Sequence, residues 1–263
     1  MVIEGIVYMF MPALSIIILS KFFWKTPLKE WGIRRPRGRY LFLAWLFPIV
    51  LSVLTIGVSL LFPGVKFQPG MEGIIAKYAT TLPSDAIDAM KTQISSLGLL
   101  LPLIILAQAF VGGLTINTIA AFGEEYFWRG FLLKQLKKFG WLKASLIIGT
   151  LWGLWHAPLI LQGHNYPQHP VLGVFMMILW CDLLSIAMTY FTVKTKSVFT
   201  AAFFHGLLNG TAGLAIIWIS GGNDLIVGVT GLAGCLALII LNLYLYLLDK
   251  KSTLKINDQL NDY

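Results

Sequence analysis

Residues 97–139 read LGLLLPLIILAQAFVGGLTINTIAAFGEEYFWRGFLLKQLKKF. The first 25 of them, Leu97 to Ala121, carry no charge, and then Glu124, Glu125 and Arg129 arrive within six positions. As one helix the stretch would be roughly 64 Å long, about twice the hydrocarbon thickness of a bilayer. It must break or lie partly along an interface, and Gly112 and Gly113 are the expected break. The rest of the chain has the same character. Hydrophobic residues make up 57% and charged residues 12%, with a mean hydropathy of +0.77, whereas soluble domains carry about a quarter charged residues. The bilayer is the solvent this chain is built for.

Six further windows are long and apolar enough for a membrane helix: Val2 to Ser20, Tyr40 to Phe62, Trp141 to Leu161, Val171 to Phe191, Val198 to Ser220 and Leu225 to Leu248. They are continuous Leu- and Ile-rich runs, not the short alternating segments of a barrel. The expected fold is an all-α polytopic helix bundle of about seven spans, with an eighth, short or re-entrant piece at 97–110. Residues 1–96 form an N-terminal two-span region, 97–248 a membrane region holding the polar motifs, and 249–263 a cytoplasmic tail. The first window has Glu4 near its start, no basic leader and no small-x-small cleavage site, so it reads as a retained span. Cys181 and Cys235 lie inside spans without metal spacing and read as packing residues.

The net charge of +8 does not point to nucleic acid, because the basic residues sit between apolar runs. All but three fall in Lys21 to Arg39, Arg129 to Lys143, Lys194 to Lys196 and Lys250 to Lys255, while Gln162 to Pro170 and Gly221 to Asp224 hold no Lys or Arg and Pro63 to Ser96 is balanced. By the positive-inside rule the basic connections are cytoplasmic, which puts the N-terminus outside and the C-terminus inside. The membrane is the plasma membrane in a prokaryote and the endoplasmic reticulum in a eukaryote. Trp24, Trp31 and Trp141, close to basic loops, read as interface anchors.

An ionisable group inside a span costs several kcal/mol unless it is paired or hydrated. Counting roughly 1.5 Å per residue from the nearest basic loop, Glu124 and His156 both lie about 20 Å deep and His205 about 14 Å deep. Three helices therefore bring acids and imidazoles to one layer. Glu125 and Arg129 are four apart in the favourable order for an ion pair, and His205 and Asn209 share a helix face at the same spacing. Glu124 lies about 100° around its helix from Glu125, without a sequence-local partner, and is a general-base candidate. Singly, such residues are more often structural locks; together they point to chemistry. His164 and His169 fall in an outer connection and read as structural.

The run Glu124-Glu125-x-x-x-Arg129, then Trp152-x-x-x-His156, then His205-x-x-x-Asn209, each in its own apolar segment, resembles the CPBP family. That family includes the CAAX prenyl endopeptidases of the Rce1 type and the bacteriocin-related Abi proteins. The motifs span Phe122 to Asn209, about a third of the chain. Trp152 stands where the family usually has Phe, and Trp128 where a Phe often precedes the Arg. The resemblance implies an intramembrane endopeptidase with a site opening towards the cytoplasm, and it marks 97–248 as the catalytic membrane region. Glu124 and His156 would activate water, His205 and Asn209 would form the oxyanion site, and Glu125 with Arg129 would support them.

The substrate implied is a protein or peptide, with a prenylated C-terminus of the CAAX type as one candidate. Zinc is one option for a cofactor, with Glu124, His156 and His205 as the ligand set. The zincin His-Glu-x-x-His pattern is absent, so a glutamate-activated water without metal is equally consistent. Two other classes fit parts of the pattern. A proton-coupled transporter also buries Glu, His and Arg, but no inverted repeat is evident. A non-catalytic immunity or scaffold membrane protein is the other, and the intact motifs weigh against it.

Overall fold

The computed structural model describes residues 2–36, 38–68, 75, 83–97 and 100–263. It is an all-α polytopic membrane helix bundle, with a two-residue ladder as the only strand pairing among the described residues. The main helices are α1 (Val2–Ile18), α2 (Arg39–Ser59), α3 (Ser84–Leu97), α4 (Leu100–Leu114) and α5 (Ile116–Glu125). After a π-helical turn, Tyr126–Leu132, come α6 (Leu133–Leu136), α7 (Trp141–Ile160), α8 (Pro170–Thr195) and α9 (Val198–Thr211). The chain closes with α10 (Leu214–Ile217), α11 (Leu232–Lys251) and α12 (Ile256–Asn261).

Among the described residues, five helical stretches are long and apolar enough to cross a membrane: Val7–Trp24, Arg39–Ser59, Pro170–Thr195, Val198–Ile217 and Leu232–Lys251. The bent pair Leu103–Leu114 and Ile116–Phe139 makes six if it counts as one span. The expected seventh, α7, forms with its 20 residues, but Lys143, His156 and Pro158 leave it too polar to qualify by composition. The first span runs beyond the expected Ser20, continuing to Trp24 through π-helical Leu19–Trp24. The last one starts at Leu232, seven residues later than expected. Asn223 to Gly231 turns tightly instead, with Leu232 N donating to Leu225 O at 2.8 Å and Gly228 at φ +86°.

The break in the opening stretch lies at Thr115, two residues past the expected glycine pair. Thr115 has φ −117° and ψ −97°, and the two helices meet at 42°. Its neighbours absorb the freed backbone carbonyls: Thr115 Oγ1 donates to Val111 O at 2.5 Å and Thr118 Oγ1 to Gly113 O at 2.6 Å. Of the short piece expected at 97–110, Leu97 ends α3, residues 98 and 99 lie outside the described residues, and the part from Leu100 on belongs to the separate helix α4. Gly113 stays helical for another reason. A Cβ there would lie 2.9 Å from Leu207 Cα, so its bare backbone lets α9 come close.

Glycines set two such crossings. On α7, a Cβ at Gly149 would meet Asp182 Cα at 2.4 Å and one at Gly153 would meet Ile178 Cα at 2.5 Å. On α9, a Cβ at Gly206 would meet Thr118 N at 2.5 Å and one at Gly210 would meet Ala109 O at 2.2 Å. Both pairs are Gly-x-x-x-Gly, the spacing that lets membrane helices approach backbone to backbone. Thus α7 is seated on α8, and α9 in the bend between α4 and α5.

Of the three tryptophans expected as interface anchors, Trp24 is exposed, while Trp31 and Trp141 are packed inside. Trp31 donates its indole N–H to Ser20 Oγ at 2.7 Å. Cys181 and Cys235 are free and buried.

Candidate functional site

The π-helical turn after α5 lets two acids and an arginine on one helix face different ways. Arg129 points into the bundle, fully buried, and grips Glu125 through Nη1 at 3.1 and 2.9 Å. Its Nη2 donates to Ser185 Oγ on α8 at 2.7 Å, and its guanidinium lies over the Trp152 ring at 4.6 Å. The expected Glu125–Arg129 lock is present, and Glu125 has a second task. Its Oε1 takes the Nδ1 of His205 at 2.8 Å, so the lock also fixes an imidazole on α9. A carboxylate held by Arg129 only accepts, so His205 Nδ1 carries the proton and Nε2 has no partner among the described residues.

Glu124 is 2% exposed and has no cationic partner among the described residues. Its Oε2 accepts the indole N–H of Trp152 at 2.6 Å, a short charge-assisted bond. His156, one turn after Trp152 on α7, has its Nδ1 at 2.8 Å from Trp152 O. A carbonyl only accepts, so this ring also has its proton on Nδ1, leaving Nε2 as an acceptor. The Trp152 ring lies edge-on to both imidazoles, with centroids 5.6 Å from His156 and 5.2 Å from His205. Trp152 therefore touches Glu124, Arg129, His156 and His205 at once. The departure from the usual Phe gives the acid a donor that Phe could not supply.

Asn209 lies one turn beyond His205 on α9 and is exposed, with no hydrogen bond to the described residues. It is the member of the expected set that the network does not bind. The zinc set expected as an option does not assemble: among the described residues no three His, Cys, Asp or Glu side chains come together to hold a metal. Each imidazole holds Nδ1 against a backbone carbonyl or an ion-paired carboxylate and keeps its Nε2 lone pair, an arrangement that also suits a metal-ligating His, so it is the spacing of the three side chains that fails the zinc option.

Other residues at or near the layer escaped the sequence reading. Ser185 and Tyr8 carry no charge, so nothing in the sequence singled them out. Tyr8 stacks on Trp155 at 4.5 Å and donates to its carbonyl, laying α1 over the turn of α7 that carries His156. Asp182 was legible as an acid in mid-span; it accepts Thr150 Oγ1 at 3.0 Å across the α7–α8 crossing, outside the network. The C-terminal residues, expected as a tail, fold back: Ile256, Leu260 and Tyr263 are buried, and Tyr263 OH donates to Arg129 O at 2.9 Å. Burial pushes the Tyr263 phenol well above its ordinary range, which keeps it a neutral donor. His169, read as structural, pairs with Asp224 at 2.6 Å in the connection before α8.

Residues 97–211 match the family model described as type II CAAX prenyl endopeptidase Rce1-like. Over 110 residues the chain is 33% identical to a Methanococcus maripaludis protein named CAAX prenyl protease 2. That alignment takes in 38% of this chain and 39% of the relative. No solved structure matches the chain. Glu124, Glu125, Arg129, Trp152, His156, Ser185, His205 and Asn209 all fall inside residues 97–211, the stretch of this multi-pass membrane protein that is similar to the Rce1-like endopeptidases.

Proposed function

We propose that the chain is an intramembrane endopeptidase in which Glu124 and His156 activate water and His205 and Asn209 receive the oxyanion. The observation that carries this reading is the unequal treatment of two adjacent acids. Arg129 neutralises Glu125, while Glu124 is buried with a single neutral donor and no cation. A structural lock needs only the first acid; a general base needs the second.

The two imidazoles suit different tasks. His156 offers an Nε2 lone pair, which can accept from the same water that Glu124 deprotonates. His205, once protonated, is held by Glu125 at Nδ1 and has an Nε2–H to donate to developing negative charge. Water oxygen bonds to the scissile carbonyl carbon as its proton passes to Glu124. The carbon–nitrogen bond then breaks, and that proton goes to the departing amine. Asn209, exposed at the edge of the layer, is the donor a substrate carbonyl could reach. The relative's name supports a peptide with a prenylated C-terminus as the substrate class, and the apolar surroundings suit a lipid-modified chain.

The test is cleavage by the purified protein of a peptide library containing C-terminal prenylated CAAX-type members, read by mass spectrometry, with Glu124→Gln as the comparison. Glu124→Gln keeps size and burial, so it should melt within a few degrees of the wild type and yield no product. Cleavage by the variant at a near wild-type rate would remove Glu124 from the mechanism.

A further inference from the structure

The basic end of the bundle holds a second site, unconnected with the polar layer. A cavity of about 450 Å³ there is lined by Arg34, Arg35, Lys194, Thr195 and Lys196. It is an open depression with a fixed backbone wall. Ser197 Oγ donates to the Arg34 carbonyl and Val198 N to Gly32 O at 3.0 Å, which pins residues 32–34 along the turn between α8 and α9. Lys194 is almost wholly buried, paired with Asp249 at 3.1 Å, and its ammonium lies 5.7 and 5.4 Å from the rings of Tyr40 and Tyr190. Lys196 has Asp262 at 3.9 Å. Arg34 and Arg35 are exposed and have no carboxylate partner among the described residues, so these two guanidiniums are the cations open to a ligand.

We infer that this cavity binds the phosphate-bearing headgroup of an anionic phospholipid. Two unpaired guanidiniums beside two further cations form a fork for phosphate oxygens. Its position selects a lipid over a soluble anion. The cavity lies at the end of α8, where the span stops at Thr195, and beside Tyr40 at the start of α2. The far side of α2 from Tyr40 exposes Phe42, Val50 and Val53, so this helix carries an apolar outer face at the same end of the bundle. Basic pockets between helix ends on the positive side of a membrane protein are the expected seats of such headgroups.

The experiment is native mass spectrometry of the whole chain in detergent, titrated with phosphatidylglycerol, phosphatidylcholine or inorganic phosphate alone. Wild type should retain phosphatidylglycerol in preference to phosphatidylcholine, and 0.5 M salt before transfer should weaken that preference. Arg34→Gln with Arg35→Gln should bind phosphatidylglycerol about thirtyfold more weakly, from roughly 1 kcal/mol per arginine at a membrane surface. Arg34→Lys with Arg35→Lys, which keeps both charges, should retain most of the binding. Equal retention of the two lipids, or unchanged binding by the glutamine pair, would overturn the site. Phosphate competing at the lipid's own concentration would overturn the lipid assignment.

Discussion

At the scale of single residues, Trp152 joins groups that would otherwise be neighbours without a link. Its indole N–H holds Glu124 at 2.6 Å while its ring covers the Arg129 guanidinium. Trp152→Phe separates these contributions, because a phenyl ring keeps much of the cation–π face and loses the donor. A hydrogen bond to a charged group contributes about 1.5–3 kcal/mol, so kcat should fall roughly ten- to a hundredfold with KM little changed. Steady-state kinetics on any peptide the protein cleaves would read the split. An unchanged kcat would mean that the indole only fills space. The charged members of this layer were legible in the sequence because a membrane makes every ionisable residue conspicuous. The Glu125–Arg129 pair followed from spacing alone, and the estimate of a shared depth for Glu124, His156 and His205 agrees with all three touching Trp152. The uncharged connectors Trp152, Ser185 and Tyr8 were not legible as such. A Trp or Ser in an apolar helix has many structural uses, and only the folded arrangement shows which group it meets.

At the scale of helices, the layer exists because α7 and α9 come unusually close to their neighbours. The reason is the pair of Gly-x-x-x-Gly spacings, readable from GTLWG at 149–153 and GLLNG at 206–210. In lipid there is no hydrophobic drive between helices, so close backbone contact carries the packing. At Gly206 even one methyl would lie 2.4 Å from Thr118 Oγ1 and 2.6 Å from Gly113 O, and the latter is backbone that cannot swing aside. Gly206→Ala should therefore destabilise by about 1–3 kcal/mol through overpacking and lower the melting temperature in detergent by about 5 °C or more. Gly57→Ala on α2 is the matched control. Nothing lies within 4 Å of its Cβ, and alanine favours the helix by up to about 1 kcal/mol, so this variant should melt at or above the wild type. Equal losses in both would show that the close contact at Gly206 does not set the cost. The position of the break between α4 and α5 was less legible. Glycine freedom suggested residues 112 and 113, but the close approach of Leu207 uses Gly113 inside the helix, and threonine hydroxyls serve the freed carbonyls at the true break.

At the scale of the whole molecule, the bundle has two chemically distinct ends, and each is tied together by its own contacts. One end lacks excess positive charge. Lys66 and Phe67 pair antiparallel with Ser220 and Ile219, Asp224 bridges to Gln168 and His169, and Tyr166 OH reaches Thr230 O at 2.6 Å. The other end collects the basic connections. Lys194 meets Asp249, Lys137 donates to Asn261 O at 3.0 Å, and Trp141 N donates to Asn257 Oδ1 at 2.9 Å. Connections that alternate along the sequence thus gather at opposite ends, the arrangement that charge alone predicted. By the positive-inside rule we expect the second end to face the cytoplasm. Cysteine accessibility tests this, and the choice of positions follows from burial. Lys194 is unsuitable because its side chain is only 1% exposed and ion-paired, whereas Gln162 and Lys251 are exposed at opposite ends. The two native cysteines are buried and should stay silent. Gln162→Cys should react with a membrane-impermeant maleimide in intact cells, and Lys251→Cys only after permeabilisation. The reverse pattern would invert the molecule in its membrane, and it would move the phospholipid cavity and the C-terminal segment beneath Arg129 to the outer leaflet with it.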